Sequence, residues 1–285
     1  MTPTVAEALN GAARSLHSYS DSPRLDAELL LGKILGLPRS GLIAHGAEPI
    51  AADKERAYGR LIERRLQGTP VAYLTGTREF WSLPLRVTAA VLVPRPETEL
   101  VVELALQFVP KHPAGAFPAP AASILDLGTG SGAIALAIAS ERPHARVTGV
   151  DVSPAALDIA IQNSRDLGLS HIDWRLGSWF TPVAGERFHL IVANPPYICA
   201  ADPALEKLSA EPALALCDGP TGLESLSAIV GGAAAHLHEH GRLILEHGCD
   251  QAPDVARLMA RHGFTDIRSH LDFSGKPRVT LGTVH

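Results

Sequence analysis

From Ile124 onward, apolar runs of strand length alternate with segments of helical periodicity: "SILDLG", "GAIALAIASERP", "ARVTGVDVS", "PAALDIAIQNSRDLG", "IDWRLGSWF" and "FHLIVA". Strands that are apolar along their whole length need cover on both faces. Alternation with helices supplies that cover through βαβ units, so a mostly parallel, doubly covered α/β sheet is expected. Further on, "SLSAIVGGAAAHLHEHG" reads as a helix and "GRLILEHG" as a buried strand. "TDIRSHLDFSGKPRVTLGTV" holds two extended runs about a Gly-Lys-Pro turn, a hairpin that would give the sheet an antiparallel edge.

The 285 residues exceed what one core usually organises, which points to one main domain plus a smaller one. Residues 1–75 read as helices. In "SPRLDAELLLGKILGLP" Ser22 stands at an N-cap and Pro23 at the first helical position, with Leu25, Leu29, Leu30 and Ile34 at helical spacing. "AADKERAYGRLIERRLQG" carries a stripe of Tyr58, Leu61, Ile62 and Leu66, and Gly68 would end it. Its Lys54, Arg56, Arg60, Arg64 and Arg65 read as a solvated face, with an acidic or phosphate-bearing partner as the alternative. "TREFWSLPLRVTAAVLVP" suggests a linking β-hairpin over 76–93, followed by the main domain over 94–285, whose first helix lies in "RPETELVVELALQFV". "PKHPAGAFPAPAAS", residues 110–123, reads as an aperiodic surface loop.

"LDLGTGSGA" sets Gly128, Gly130 and Gly132 between a strand and a helix. Glycines there let the backbone turn sharply and approach a ligand closely. Asp151 ends the next strand, where a carboxylate can accept from ribose hydroxyls. An adenosine-containing cofactor follows. Because Gly128, Gly130 and Ala133 also satisfy G-x-G-x-x-A, the loop alone leaves a nicotinamide dinucleotide open.

The run "FHLIVANPPYICA" narrows the choice. Residues before proline leave the helical region and proline fixes its own φ, so Asn194-Pro195-Pro196 is rigid before any substrate arrives. The Asn194 side-chain oxygen and the Pro195 carbonyl can accept the two hydrogens of an –NH₂ group, and Tyr197 can cover its flat face. Methyl transfer from the sulfonium of S-adenosylmethionine makes such a nitrogen positive, and fixed acceptors stabilise that charge. Dehydrogenases have no comparable use for this turn.

A net charge of −5 gives no overall attraction to nucleic acid. Three scattered cysteines suggest neither disulfides nor zinc, and the thirteen histidines suggest no metal site; His236, His238 and His240 are placed around a helix end. No basic-then-apolar leader opens the chain, and no apolar run has membrane-spanning length. A cytoplasmic protein is expected, without metal or membrane contact and monomeric. Arg95, Glu97 and Glu99 of "PRPETE" could form an ion-pair network near the cofactor or simply open the helix, and Glu246 and His247 could line the crevice or only pack.

"VLVPRPETELVVE", "ILDLGTGSGAIALAIA", "DVSPAALDIAIQN", "FHLIVANPPYI", "EPALAL" and "GGAAAHLHEHGRLILEHG", with "QGTPVAYLTGTREFW" nearer the N-terminus, resemble the HemK/PrmC protein-(glutamine-N5) methyltransferases of peptide chain release factors. The resemblance spans almost the whole chain. It implies a seven-stranded, Rossmann-like S-adenosylmethionine-dependent methyltransferase sheet, a helical substrate-recognition domain, and a substrate glutamine in the Gly-Gly-Gln tip of class-one release factors. It further implies that Gly128, Thr129, Gly130, Ser131, Gly132 and Asp151 hold S-adenosylmethionine, that Trp179 packs near its adenine, and that Asn194 adjoins cofactor and substrate. Asn194, Pro195, Pro196 and Tyr197 would bind the glutamine. Ser178 and Ser227 stand where an acid and an arginine are common in the family. The alternatives are a ribosomal-protein glutamine methyltransferase, an adenine-N6 nucleic-acid methyltransferase that flips its base, and a non-catalytic adaptor.

Overall fold

A computed structural model describes residues 2–111 and 121–285. The loop expected over 110–123 falls largely outside the described residues. The chain divides into two compact units, Met1–Thr77 and Arg78–His285.

The first unit is helical: α1 (Val5–Ser15), α2 (Pro23–Leu35), α3 (Arg39–Ala44), α4 (Ala52–Leu66) and α5 (Val71–Thr75). A capping box opens α1, with Thr4 accepting from the Glu7 backbone N–H and Glu7 accepting from that of Thr4. Ser22 does stand at the N-cap of α2 and Pro23 inside its first turn, although the serine side chain makes no capping bond. Leu9, Leu16, Leu30, Leu31, Leu42 and Tyr58 form the unit's core. Arg65 of the basic helix pairs with the buried Asp26, and Lys54 donates to the Ile34 carbonyl, so part of that positive face serves the fold.

The hairpin β1 (Thr77–Phe80) and β2 (Leu83–Arg86) turns through Trp81 and Ser82, both at positive φ. A 3₁₀ turn, Pro96–Thr98, leads into α6 (Glu99–Phe108). There follow β3 (Ser123–Leu127), α7 (Ala133–Glu141), β4 (Arg146–Asp151), α8 (Pro154–Asp166), β5 (Asp173–Leu176), β6 (Phe188–Ala193), the short α9 (Ala204–Lys207), α10 (Glu224–Ala233), β7 (Leu237–Glu246), α11 (Ala252–Arg261), β8 (Thr265–Leu271) and β9 (Pro277–Thr283).

The seven strands run in the order β5-β4-β3-β6-β7-β9-β8. β3 pairs in parallel with β4 and β6, and β7 in parallel with β6, while β9 runs antiparallel to both its neighbours. The β8–β9 hairpin thus forms the expected antiparallel edge, with β9 against β7 and β8 outermost. Apolar side chains face helices on both sides of the sheet, giving one cluster with Ile124, Val147 and α7 and another with Leu125, Ile191 and α10. The strand order reverses between β3 and β6, the place where α/β sheets open a crevice at their carboxyl ends.

The histidine-rich segment corrects the expected helix end. The α10 helix stops at Ala233, and β7 starts at Leu237, so His238 and His240 belong to a strand. A register shift lets the strand absorb "HEHG" beside β6.

Candidate active site

At those carboxyl ends lies a cleft of about 390 Å³. Gly128, Thr129, Gly130, Ser131, Asp151, Trp179, Asn194 and Pro196 line it, as does Arg95. Gly132, Pro195 and Tyr197 do not line it.

The glycine loop is shaped by its own carboxylates. Gly128, Gly130 and Gly132 have φ of 70°, 57° and 83°, a region that L side chains enter only under strain. The Gly130 N–H donates to Asp151 Oδ2 at 2.8 Å and the Ser153 N–H to Oδ1 at 2.9 Å, so the acid at the end of β4 fastens the loop after β3. Burial raises the Asp151 pKa, against three backbone hydrogen bonds that lower it.

Under the loop, Thr129 donates its hydroxyl to Asp126 Oδ2 at 2.5 Å, and the Ala135 N–H of the first turn of α7 donates to the same oxygen at 3.2 Å. The first turn of α7 thus gives one N–H to an internal carboxyl, while its Ala133 and Ile134 line the cleft. Asp126 Oδ1 is buried with no partner, and burial pushes the carboxyl up to about 7.

Gly132 is required by packing, since a Cβ there would come within 3.0 Å of Trp174 and Leu136. Trp174 also fills the space above Gly149, where a Cβ would fall 2.4 Å from its ring. Asn163 of α8 accepts from the Arg86 N–H at 2.7 Å and donates to the Ser131 carbonyl at 2.9 Å, joining β2 to the glycine loop. Neither Gly149 nor Asn163 has a legible sequence signal beyond its place in "RVTGVD" and "AIQN".

After β6 the chain enters the Asn-Pro-Pro-Tyr turn. Asn194 Nδ2 donates to Thr98 Oγ1 at 3.1 Å, which leaves Oδ1 as its unused acceptor. The Tyr197 hydroxyl donates to Glu246 Oε1 at 3.4 Å, and its ring packs against the α10 side of the core. Gln251 Nε2 donates to the carbonyls of Tyr197 (3.0 Å) and Gly222 (2.9 Å), stapling the end of the turn. Glu246 is fully buried at the end of β7, and burial raises its carboxyl to about 7. His247 turns away from the cleft to Thr280, at 2.8 Å, and to the Gly248 carbonyl.

The acids and base of "PRPETE" hold separate partners instead of forming one network. Arg95 pairs with the buried Glu211, whose other oxygen accepts from the Val93 N–H at 3.1 Å, and Glu99 accepts from the Trp81 N–H at 2.8 Å. The first of these ties the approach to the 3₁₀ turn to "EPALAL" beside the cleft. Among the described residues there is no cluster of His, Cys, Asp and Glu fit for a metal ion, and no helix long and apolar enough to cross a membrane.

Seven strands in this order, with the acid of β4 holding the loop after β3, make the second unit a methyltransferase of the S-adenosylmethionine-dependent, Rossmann-like class. Residues 7–76 match the PrmC N-terminal domain and residues 119–263 a methyltransferase domain. A release factor glutamine methyltransferase of Xylella fastidiosa (strain Temecula1) is 47% identical over 91% of this chain and 92% of its own length, and that of Escherichia coli (strain K12) is 41% identical over 92% and 93%. The chain belongs to the release factor glutamine methyltransferase family. In fold alone it is also similar to the T. thermophilus 16S rRNA N2 G1207 methyltransferase solved with AdoMet and guanosine: TM-score 0.51, 19% identity, covering 73% of this chain and 50% of that one.

Proposed function

We propose that the protein transfers a methyl group from S-adenosylmethionine to the side-chain amide nitrogen of the glutamine in the Gly-Gly-Gln motif of class-one peptide chain release factors, in the cytoplasm. One observation carries the reading: Asn194 gives one N–H to Thr98 and keeps its oxygen for an incoming –NH₂ beside the glycine-loop cleft. Family membership favours a release factor over a ribosomal protein or adenine as the bearer of that group.

The residues present fit the cofactor. Asp151 keeps lone pairs for ribose hydroxyls after accepting from Gly130 and Ser153, Trp179 offers an apolar face for adenine at the cleft wall, and Gly128 to Ser131 let the backbone come close. When bound there, S-adenosylmethionine supplies an electrophilic methyl on a sulfonium.

The chain's own work is to hold the nucleophile. The Asn194 oxygen and the Pro195 carbonyl accept the two amide hydrogens, orienting the nitrogen lone pair and stabilising the positive charge that grows on it. The proton becomes acidic only as that charge develops, so no strong base is needed beforehand. Tyr197, braced by Glu246, limits the space to a flat group. Residues 1–75 serve as the substrate-recognition domain and 76–93 as the linker to the domain over 94–285, and the enzyme acts as a monomer on a protein, away from nucleic acid and membranes.

The test is incubation with methyl-labelled S-adenosylmethionine and, in parallel, a release factor, ribosomal proteins and DNA. Label enters the release factor alone. Asn194→Ala lowers kcat by about 10²–10³ while folding persists. Label in DNA, or full activity in the variant, overturns the reading.

A further inference from the structure

Among its described residues the second unit exposes five large hydrophobic side chains: Val152, Leu176, Leu214, Leu271 and Phe273. All five stand at one end of the sheet. Val152 follows the last residue of β4, Leu176 and Leu271 end β5 and β8, Phe273 lies in the turn from β8 to β9, and Leu214 walls the cleft. That end is the carboxyl end of the parallel strands, where the cleft opens; the unit's described helices and the amino ends of its strands expose none. Apolar residues exposed singly and at random mean little, whereas their gathering at one end marks a surface that another molecule covers.

Phe273 is the extreme case, at 95% exposure. Its turn is built without it. The Asp272 carboxylate accepts from the Ser274 N–H and hydroxyl (2.9 and 2.6 Å) and from the Lys276 N–H (2.9 Å), and the Asp272 N–H donates to the Lys276 carbonyl at 2.8 Å. The turn is thus ordered before anything binds, and a ring held out on it loses little freedom on docking.

Register places this tip on the rim of the cleft. Val279 of β9 pairs with both Glu246 and His270, and Leu271 pairs with Pro277, so the β8–β9 turn projects beyond Glu246, whose Oε1 accepts from the Tyr197 hydroxyl. Across the sheet, the glycine loop and Asp151 lie at β3 and β4, Asn194 follows β6, and β7, β9 and β8 continue on the far side. In-line transfer sets the substrate nitrogen opposite the sulfur, so the body of the substrate lies over β6 and beyond. Three strand spacings, ~14 Å, separate β6 from β8. A standard protein interface covers ~800 Å² of each partner and so extends roughly 15 Å from its centre, far enough to take in the tip.

We infer that the β8–β9 turn is a docking element for the protein substrate, with Phe273 as its anchor and Leu271 beside it, and that the release factor presents an apolar hollow near its Gly-Gly-Gln loop to receive them. The inference rests on the proposed reaction and deepens it: the turn after β6 selects the amide, and the hairpin tip selects the protein that carries it. A free glutamine would fill the cleft without reaching the tip.

The experiment is steady-state methylation of a purified release factor by the full chain. Phe273→Ser raises KM for the release factor by about 10-fold or more, the scale of losing an interface anchor, while kcat and the cofactor Kd stay within a few-fold. Phe273→Tyr keeps the ring and restores most of the loss, and Leu271→Ser raises KM by a smaller factor. Because the ring is exposed, Phe273→Ser unfolds at the wild-type temperature. A photo-reactive benzoylphenylalanine in place of Phe273 cross-links to the release factor close to its Gly-Gly-Gln loop. Wild-type KM in Phe273→Ser, or a cross-link to a second copy of this chain in place of the release factor, overturns the inference. Failure of the wild type to methylate any release factor would instead strike the proposed reaction itself.

Discussion

Asp126 and Glu246 are carboxyls that the fold buries, and each has one oxygen without a partner. Desolvation is the largest influence on both, and it disfavours the charged form. For Asp126 the sign follows directly. Its folded pKa, about 7, lies above the ordinary value of 3.8, so the native state holds a proton that the unfolded chain releases across that window. The stability this contributes is complete below the unfolded pKa and is lost as pH rises through about 7. Asp126→Asn keeps an acceptor for Thr129 and Ala135 and removes the titration. Thermal unfolding followed against pH is expected to show the wild type losing stability relative to Asp126→Asn between about pH 5 and 8, by ~1–3 kcal/mol. Parallel curves for the two proteins would mean that Asp126 stays charged. The sequence shows both acids but hides the burial and the missing partners: "LDLG" and "LILEHG" mark strand ends, whereas the desolvation comes from neighbours supplied by other strands.

At the scale of elements, the Asn-Pro-Pro-Tyr turn draws its rigidity from more than its prolines. Gly222 has φ of 73°, and a Cβ there would fall 2.4 Å from the Tyr197 carbonyl oxygen, the atom to which Gln251 also donates. Gly222→Ala therefore pushes on the turn itself. It is expected to cost ~1–3 kcal/mol through strain and overpacking and to lower kcat by about 10²-fold through displaced acceptors. Gly168, at φ of 70° with open space around it, provides the comparison. Gly168→Ala costs ~1–2 kcal/mol for the left-handed backbone alone and leaves kcat unchanged. Equal kcat in the two variants would separate the turn from catalysis.

The elements themselves were legible where periodicity was strong. The βαβ alternation, the glycine loop with Asp151, and the hairpin between Phe80 and Leu83 all appear where their patterns stand. The pattern misled at "AAAHLHEHG", where helix-length polarity continued into a strand that pairs with β6 through a register shift. It also left the strand order open at the far end, because a hairpin's sequence does not say which of its strands will pair with β7. Thr98, Glu246 and Gln251 lie far from Asn194 in the chain, and they reach its turn only because β6 and β7 are neighbours whose carboxyl ends meet the 3₁₀ turn before α6.

For the whole molecule, the fold supplies a methyl-transfer crevice and the acceptor proposed at the turn suits any planar –NH₂, so neither separates glutamine from adenine. Family membership across both matched regions favours glutamine in a release factor, and the net charge of −5 gives no general attraction to nucleic acid. The central claim is therefore chemical and positional: one methyl, on one amide nitrogen, in one loop of a protein substrate. Fragment-ion mass spectrometry of a release factor, after reaction with the purified enzyme and methyl-labelled S-adenosylmethionine, tests it most directly. The account predicts a single methyl on the side-chain nitrogen of the Gly-Gly-Gln glutamine. A methyl on any other residue, or a release factor left unmodified while another substrate is labelled, would contradict it.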